Sequence, residues 1–406
     1  MKSQQESHAP INQAGRLITS PESLSHNKTM QLAKLYIEPT NQCNLDCRTC
    51  IRNAWKEPLG MMTDDVFSHI VQGLRTFSPP PIVFFGGWGE PLFHPKIVEM
   101  VAQAKRLGSR VELITNGTLL APEVTRGLIE AGLDVLWVSL DGATPETYAD
   151  VRLGAALPQI LKNLAYFDKT VYDYRTLTEC GFIQRVCNTE LGIAFVAMKR
   201  NIADLPAVLS LGQRFHAMQY RVTNVLPYTP ELCDEVLYDT TLSRIPQMNS
   251  VKTPHLIMPR MDENELTKEP LYRARTKDIQ VTWPGEDWGR GINLCPYVDS
   301  GVTAIAWDGG ISPCLPLLHD HSSYVLDRVR FSRHWHIGNL EEQSLEDLWK
   351  APEYVAFRDR VQAWPFAPCT ECGGCDLSHE NEMDCKGNTF PTCGGCYWAQ
   401  GLIQCP

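Results

Sequence analysis

Apolar residues fall in short runs separated by longer stretches in which apolar positions recur every three or four residues. The runs Leu35–Pro39, Ile82–Phe85, Val111–Thr115, Asp134–Leu140, Ile193–Met198 and Tyr220–Leu226 are largely apolar. Near-continuous runs of this kind fit strands buried on both faces of a parallel sheet. Between them the period is helical. Val66, Phe67, Ile70, Val71, Leu74 and Phe77 make one stripe behind a cap at Thr63 or Asp64. Ile97, Met100, Val101, Ala104 and Leu107 make a second, with Gly108 placed to close it. Pro122 opens a third helix and Gly132 ends it; Leu157–Phe167 and Asp204–Phe215 supply two more. Six strand–helix units in series predict right-handed crossovers and an α/β fold, a partial (β/α)6 barrel over residues 32–230. The functional residues would then lie at the C-terminal ends of the strands.

The flanking segments differ. Residues 1–31 are polar without sustained periodicity and read as a flexible tail. Residues 231–290 are mixed and carry Pro254, Pro259, Pro270 and Pro284, which suggests a linker or elaborated connection. Residues 291–406 read as a cysteine-rich α+β domain. The apolar runs on either side of Asp308-Gly309-Gly310 predict a β-hairpin, and Leu345, Leu348, Trp349, Tyr354, Phe357 and Val361 predict one helix over Ser344–Val361.

The chemistry is concentrated at strand ends. Behind the first strand stands Cys43-Asn-Leu-Asp-Cys47-Arg-Thr-Cys50. A 4Fe–4S cluster normally takes four cysteines. Three thiolates on one loop leave one iron open to an outside ligand, which marks a centre that does chemistry. Zinc also takes close-set cysteines, more often as separate C-x2-C pairs, so the spacing favours iron–sulfur. After the second strand comes Phe85-Gly86-Gly87-Trp88-Gly89-Glu90, whose glycines let a backbone approach a ligand closely. Asn116-Gly117 ends the third strand, and Ser139 and Asp141 end the fourth. Small polar groups there suit a ligand's hydroxyls, although Asn-Gly and Asp-Gly are also ordinary turn formers. Arg152 follows, able either to reach a carboxylate or to stay solvated. The C-terminal region carries Cys295, Cys314, Cys369, Cys372, Cys375, Cys385, Cys393, Cys396 and Cys405. Repeated C-x2-C spacing with interposed glycines suits metal clusters; zinc knuckles are the competing reading. Nine cysteines suffice for two full clusters with one left over, or for one full cluster and one open one. Cys180, Cys187 and Cys233 lack tight metal spacing and read as structural. The His319/His321 and His334/His336 pairs read as lining or surface residues.

The C-x3-C-x2-C loop after a first strand resembles the signature of the radical S-adenosylmethionine (radical SAM) enzymes, with Thr49 where an aromatic residue is usual. The resemblance implies a TIM-like radical SAM barrel in which Cys43, Cys47 and Cys50 hold a 4Fe–4S cluster, and SAM chelates its fourth iron. It implies reductive cleavage of SAM to a 5′-deoxyadenosyl radical. Gly86, Gly87, Gly89 and Glu90 resemble the family's Gly-Gly-Glu cradle for the methionyl ammonium, with Trp88-Gly89 inserted before the acid. Asn116, Ser139 and Asp141 resemble its ribose-side contacts. Cys295, Gly309 and Cys314 ahead of a cysteine-rich tail resemble the SPASM extension, implying one or two auxiliary 4Fe–4S clusters among the nine C-terminal cysteines. The tail departs from that pattern in the spacing of Cys372, Cys375 and Cys385. Tyr36-Ile-Glu-Pro39, Thr223-Asn-Val-Leu-Pro-Tyr228 and Cys393-Gly-Gly-Cys396 through Cys405 look like the radical SAM maturases of tungsten-cofactor oxidoreductases. That likeness implies a protein or cofactor substrate, either a tungsten oxidoreductase or its pterin, and a reductant such as ferredoxin or flavodoxin. Two alternatives stand beside it: a radical SAM/SPASM enzyme that modifies a peptide or protein, and a non-catalytic iron–sulfur protein for electron transfer.

Composition narrows the partners. A net charge of -10 and a pI near 5.6 argue against nucleic-acid or membrane-surface binding. No stretch of about 18 uninterrupted apolar residues is present, so no spanning helix is expected. The polar first residues lack a secretory apolar core, which predicts a cytoplasmic protein. Fifteen cysteines in such a setting point to metal clusters more than to disulfides.

Overall fold

The strand β1 (Lys34–Ile37) buries Leu35, Tyr36 and Ile37 together, so it has no solvent face. The same holds for β2 (Ile82–Phe85) and β4 (Val135–Ser139), while β3 (Val111–Thr115) lies between them. The computed structural model describes residues 31–177, 183–185, 188–242, 260–285, 293–325, 328–370, 372 and 375–405. The tail over residues 1–30, Cys180, Cys187 and much of the stretch between residues 243 and 292 lie outside them.

A small antiparallel hairpin, β5 (Arg175–Leu177) with β6 (Ile183–Arg185), stands apart from the main sheet. The main sheet continues through β7 (Glu190–Ala197), β8 (Gln219–Asn224) and β9 (Val281–Thr282). From β1 to β9 every neighbouring pair is parallel, in the order β1-β2-β3-β4-β7-β8-β9. Helices return each chain segment to the start of the next strand. These are α1 (Asp64–Leu74), α2 (Ile97–Arg106), α3 (Pro122–Glu130), α4 (Pro145–Val151), α5 (Leu157–Asp173) and α6 (Leu205–Arg214). The expected signals operate. Thr63 accepts from Val66 N at 3.2 Å and caps α1, a contact of about 1 kcal/mol. Gly108 and Gly132 take positive φ, +86° and +85°, just past α2 and α3. Phe77 lies beyond the end of α1 and is only half-buried, as is Val71 within it.

The predicted six-stranded sheet is larger than its sequence pattern indicates. On the other edge of β1 lies β10 (Val302–Ile305), parallel and in register from Lys34↔Val302 to Ile37↔Ile305. The expected hairpin to β11 (Gly310–Ser312) follows, then β14 (Gly338–Asn339), giving ten strands in all. Pairing to β10 removes the exposed edge of β1, where unpaired backbone groups would otherwise recruit other chains. A separate hairpin joins β12 (His321–Val325) and β13 (Arg328–Ser332). The single helix expected over Ser344–Val361 is two, Leu345–Trp349 and Pro352–Ala363. Pro352 cannot donate a helical bond and forces Ala351 extended, at φ −55° and ψ 131°, which breaks the run.

One apolar core joins the two cysteine-bearing regions. Tyr36, Phe84 and Trp137 from the strands pack in the same buried cluster as Tyr297, Tyr397 and Trp398. Cys295, Cys314, Cys396 and Cys405 pack against it.

Candidate metal centre and cofactor cradle

The loop Cys43–Cys50 leaves the C-terminal end of β1 and is pinned along its length. Leu45 is buried beneath it; Asp46 N donates to Leu153 O and Arg48 N to Val151 O, fastening it to the end of α4. Arg48 also pairs with Asp150 and Glu231. Cys50 N closes a tight turn on Cys47 O at 3.1 Å. The three thiols are free and half-buried. Burial pushes those of Cys43 and Cys47 up and that of Cys50 up to about 12. Desolvated thiolates need nearby positive charge, so this donor set fits a bound metal cluster better than bare thiolates. Asn116 Nδ2 lies 3.8 Å from Cys43 Sγ, and Arg152 Nη1 lies 4.0 Å from Cys47 Sγ.

A single zinc ion would need its donors close together. Around zinc, sulfurs about 2.3 Å from the metal stand within roughly 4 Å of each other. Among the described residues, the one set of three ligand atoms within 4.8 Å of one another is Glu57, Asp320 and His334. Its members hydrogen-bond one another.

The glycine loop lies against the cysteine loop. Gly86 N donates to Ile37 O and Glu90 N to Gln42 O, at 2.9 and 2.8 Å. A Cβ at Gly89 would stand 2.1 Å from Thr40 O and 2.7 Å from Gln42 O, so only glycine allows this approach. Gly87 takes φ +126° directly over Glu38. Glu90 is buried, and its carboxylate is engaged from three sides. Oε1 accepts from Leu92 N and Thr115 Oγ1, and Oε2 from Asn116 N, at 3.0, 2.7 and 2.7 Å. Burial raises its pKa against those bonds. Asn116 Nδ2 reaches Asn44 Oδ1 at 3.0 Å. Ser139 ends β4, nearly buried at 8% exposure. Asp141 accepts from Val196 N at 2.7 Å and forms a buried ion pair with Arg152, Nη2 to Oδ2 2.6 Å. The structure thus gathers Cys43 with Asn116 and Glu90, and Cys47 with Arg152 and Asp141.

Two residues absent from the sequence-derived site complete this end of the sheet. Glu38 follows β1 and is buried. Its Oε1 accepts from Trp88 N at 3.0 Å, and its Oε2 accepts from His319 Nε2 at 2.7 Å. A single carboxylate between an apolar strand and Pro39 was the available signal. Burial pulls the His319 pKa down, but the Glu38 charge outweighs it and the net shift is upward. His321 is kept neutral by burial, its pKa about 4, with Nδ1 donating to His319 O.

The C-terminal cysteines separate into two sets of four. Cys295, Cys314, Cys393 and Cys396 line a cavity of about 70 Å³ beside Tyr297 and Trp398. Cys369, Cys372, Cys375 and Cys385 line another of about 30 Å³. Burial pushes the Cys295 thiol up to about 12 and raises those of Cys314, Cys393 and Cys396. Val298 N points at Cys295 Sγ, and the N–H groups of Trp398 and Ala399 favour the Cys396 thiolate, donors that suit cluster sulfurs. Gly394 is obligatory, since a Cβ there would meet Ala367 O at 1.9 Å. Cys405 lies in neither set and rests beside Tyr297 and Trp398, at 3.5 and 3.4 Å.

A mostly parallel sheet, an open three-cysteine loop at its C-terminal edge and two further cysteine sets define an iron–sulfur enzyme that binds SAM. The chain belongs to the radical SAM superfamily. The family model described as "Radical SAM superfamily" matches residues 37–178, and that of the SPASM "Iron-sulfur cluster-binding domain" matches residues 295–376. Cys385, Cys393, Cys396 and Cys405 lie beyond the second match. The tungsten-containing aldehyde ferredoxin oxidoreductase cofactor-modifying protein of Pyrococcus furiosus is 28% identical over 380 residues, 92% of this chain and 96% of that one. An AdoMet-dependent heme synthase of Methanosarcina barkeri is 30% identical over 332 residues, 78% of this chain and 81% of that one. In fold, the chain is similar to native anSMEcpe with bound AdoMet, with a TM-score of 0.56 at 16% identity over 91% and 96% of the two chains. Streptococcus suis SuiB bound to S-adenosylmethionine gives 0.56 at 16% identity over 85% and 71%. No described helix is long and apolar enough to cross a membrane.

Proposed function

We propose that this chain is a radical SAM maturase that acts on a tungsten-cofactor oxidoreductase or on its pterin, drawing electrons from a ferredoxin or flavodoxin. The observation that carries the reading is the end-to-end likeness to the cofactor-modifying protein, 92% of one chain on 96% of the other. Cys43, Cys47 and Cys50 would hold the SAM-binding 4Fe–4S cluster. Cys295, Cys314, Cys393 and Cys396 would hold one auxiliary cluster, and Cys369, Cys372, Cys375 and Cys385 a second. When bound and reduced, the first cluster supplies the electron that cleaves SAM to a 5′-deoxyadenosyl radical.

The chain's own residues bind, orient and shield. The main chain of Gly86, Gly87 and Gly89 forms the wall on which the methionyl end of SAM would rest. Glu90 holds that wall to β3 through Thr115 and Asn116. Ser139 and Asn116 offer polar atoms to the ribose side. Arg152, fixed by Asp141, presents its remaining N–H groups towards Cys47 and a bound carboxylate. Trp88 and Tyr228, edge to face at 6.4 Å, supply apolar surface beside this space, which would keep water from a radical.

The test is 5′-deoxyadenosine formation from SAM and dithionite by anaerobically reconstituted protein, beside a Cys43→Ala/Cys47→Ala/Cys50→Ala variant. Production by the wild type alone, accelerated by the pterin-bearing apo-oxidoreductase, is expected. Production by neither, with iron retained in both, would overturn the enzyme reading in favour of electron transfer. Acceleration by a small peptide instead of the oxidoreductase would reassign the substrate.

A further inference from the structure

The two auxiliary cysteine sets share a buried cation. Arg330, on β13, is 5% exposed and lines the cavity of Cys295, Cys314, Cys393 and Cys396. Its Nη1 donates at 2.7 Å to the carbonyl of Ser378, a residue that lines the cavity of Cys369, Cys372, Cys375 and Cys385. The guanidinium therefore touches the walls of both. Gly395, inside the Cys393-Gly-Gly-Cys396 run, makes its room: a Cβ there would stand 2.4 Å from Nη1 and 2.5 Å from Cζ. Burial lowers its pKa, opposed by Cys369 of one set, Cys396 and Cys393 of the other, and Tyr397. Its hydrogen bond to Ser378 goes to a neutral carbonyl. A guanidinium buried this deeply is costly unless an anion faces it, and two cysteine-ligated clusters supply anions on two sides.

We propose that Arg330 is the shared counter-ion of the two auxiliary iron–sulfur sites, raising the reduction potential of both. Reduction adds negative charge to a cluster, and a fixed cation beside it favours that state. Burial spares the interaction most of the screening that salt imposes at a surface.

This inference rests on the two-cluster reading above, and iron content separates the failure of one from the failure of the other. Reconstituted full-length protein should carry about twelve irons, four per cluster; a wild type holding only about four would remove the auxiliary clusters themselves. The experiment is an EPR-monitored redox titration of wild type, Arg330→Gln and Arg330→Lys, with the SAM-responsive cluster as internal reference. In Arg330→Gln both auxiliary midpoints should fall by at least a tenfold change in the reduced-to-oxidised ratio, about 59 mV for one electron. The reference should not move, and Arg330→Lys should stay near wild type. Unchanged midpoints, or a shift at one auxiliary cluster only, would overturn the proposal. If Arg330→Gln loses iron, the lysine variant decides. Retention of both clusters there shows that the charge is what holds them; loss there as well shows Arg330 to be a fold strut and overturns the proposal.

Discussion

Gly89→Ala is the most direct probe of the contact between the glycine loop and the cysteine loop. The added Cβ would lie 2.1 Å from Thr40 O, 2.7 Å from Gln42 O and 2.8 Å from Asn41 Cα. All three are main-chain atoms, so no side chain can rotate away. Opening the shortest contact to the 3.4 Å of ordinary packing moves one loop by about 1.3 Å. Gln42 immediately precedes Cys43, so the displacement falls between the SAM wall and the cluster ligands. A misplacement of about 1 Å at a reacting centre costs on the order of 100-fold in rate, or about 2.7 kcal/mol. Overpacking adds about 1–3 kcal/mol of lost stability. The assay is the initial rate of 5′-deoxyadenosine formation against SAM concentration, on protein whose iron content matches wild type. A kcat/KM within about threefold of wild type, with an unchanged melting midpoint, would refute the claim that this contact sets the cradle.

Three further outcomes follow from other parts of the site. Arg152→Met should destabilise by about 3–5 kcal/mol, because fully buried Asp141 would keep only Val196 N as a side-chain partner. Denaturant unfolding of Arg152→Met, Asp141→Asn and the double variant checks this, and additivity to within about 0.5 kcal/mol would dissolve the pair. The upward shift of His319 means that its ion pair with Glu38 contributes fully below its ordinary value of 6.5 and is lost as pH rises through the higher folded value. The melting midpoint of wild type should therefore fall more steeply with rising pH than that of His319→Gln, and parallel curves would count against the pair. Cys385→Ala should lose about four irons and Cys405→Ser none; iron loss from the second would place Cys405 among the ligands.

Local patterning carried the strands and helices of residues 32–230 because each buried element there is apolar on the faces it hides. The cysteine loop was equally plain, since its spacing is itself the chemistry. Long-range pairing was not legible. Nothing within Val302–Ile305 marks it as the neighbour of Lys34–Ile37 rather than of any other strand, and the match is made only when β10 meets the free edge of β1. The auxiliary ligand sets were hidden for a related reason. In sequence, Cys369 to Cys385 lie between the two halves of the other set, so spacing alone cannot divide them. Arg152 was ambiguous because an arginine two residues from an aspartate can be solvated; Asp141 decides it, and Asp141 lies across a strand-to-helix turn. Pro352 was the signal passed over: one helix was expected through it, and the chain breaks where proline rules require.

The sheet also bears on how the iron–sulfur sites work together. β10 is hydrogen-bonded along β1, so the segment leading to Cys314 and the segment leading to Cys43 begin on adjacent strands. Glu38 adds a second connection at the strand ends, tying Trp88 N of the glycine loop to His319 of the C-terminal region. The apolar cluster around Tyr36, Phe84, Tyr297 and Trp398 fills the space behind both. A hinge between the two regions would have to break a parallel strand pair, part a buried ion pair and expose aromatic surface together. Each is unfavourable by itself. The cysteine loop and the first auxiliary set are accordingly tied to one hydrogen-bonded sheet and one apolar core. The second auxiliary set reaches that frame through β13, whose Arg330 lines the first cavity and donates to Ser378 of the second.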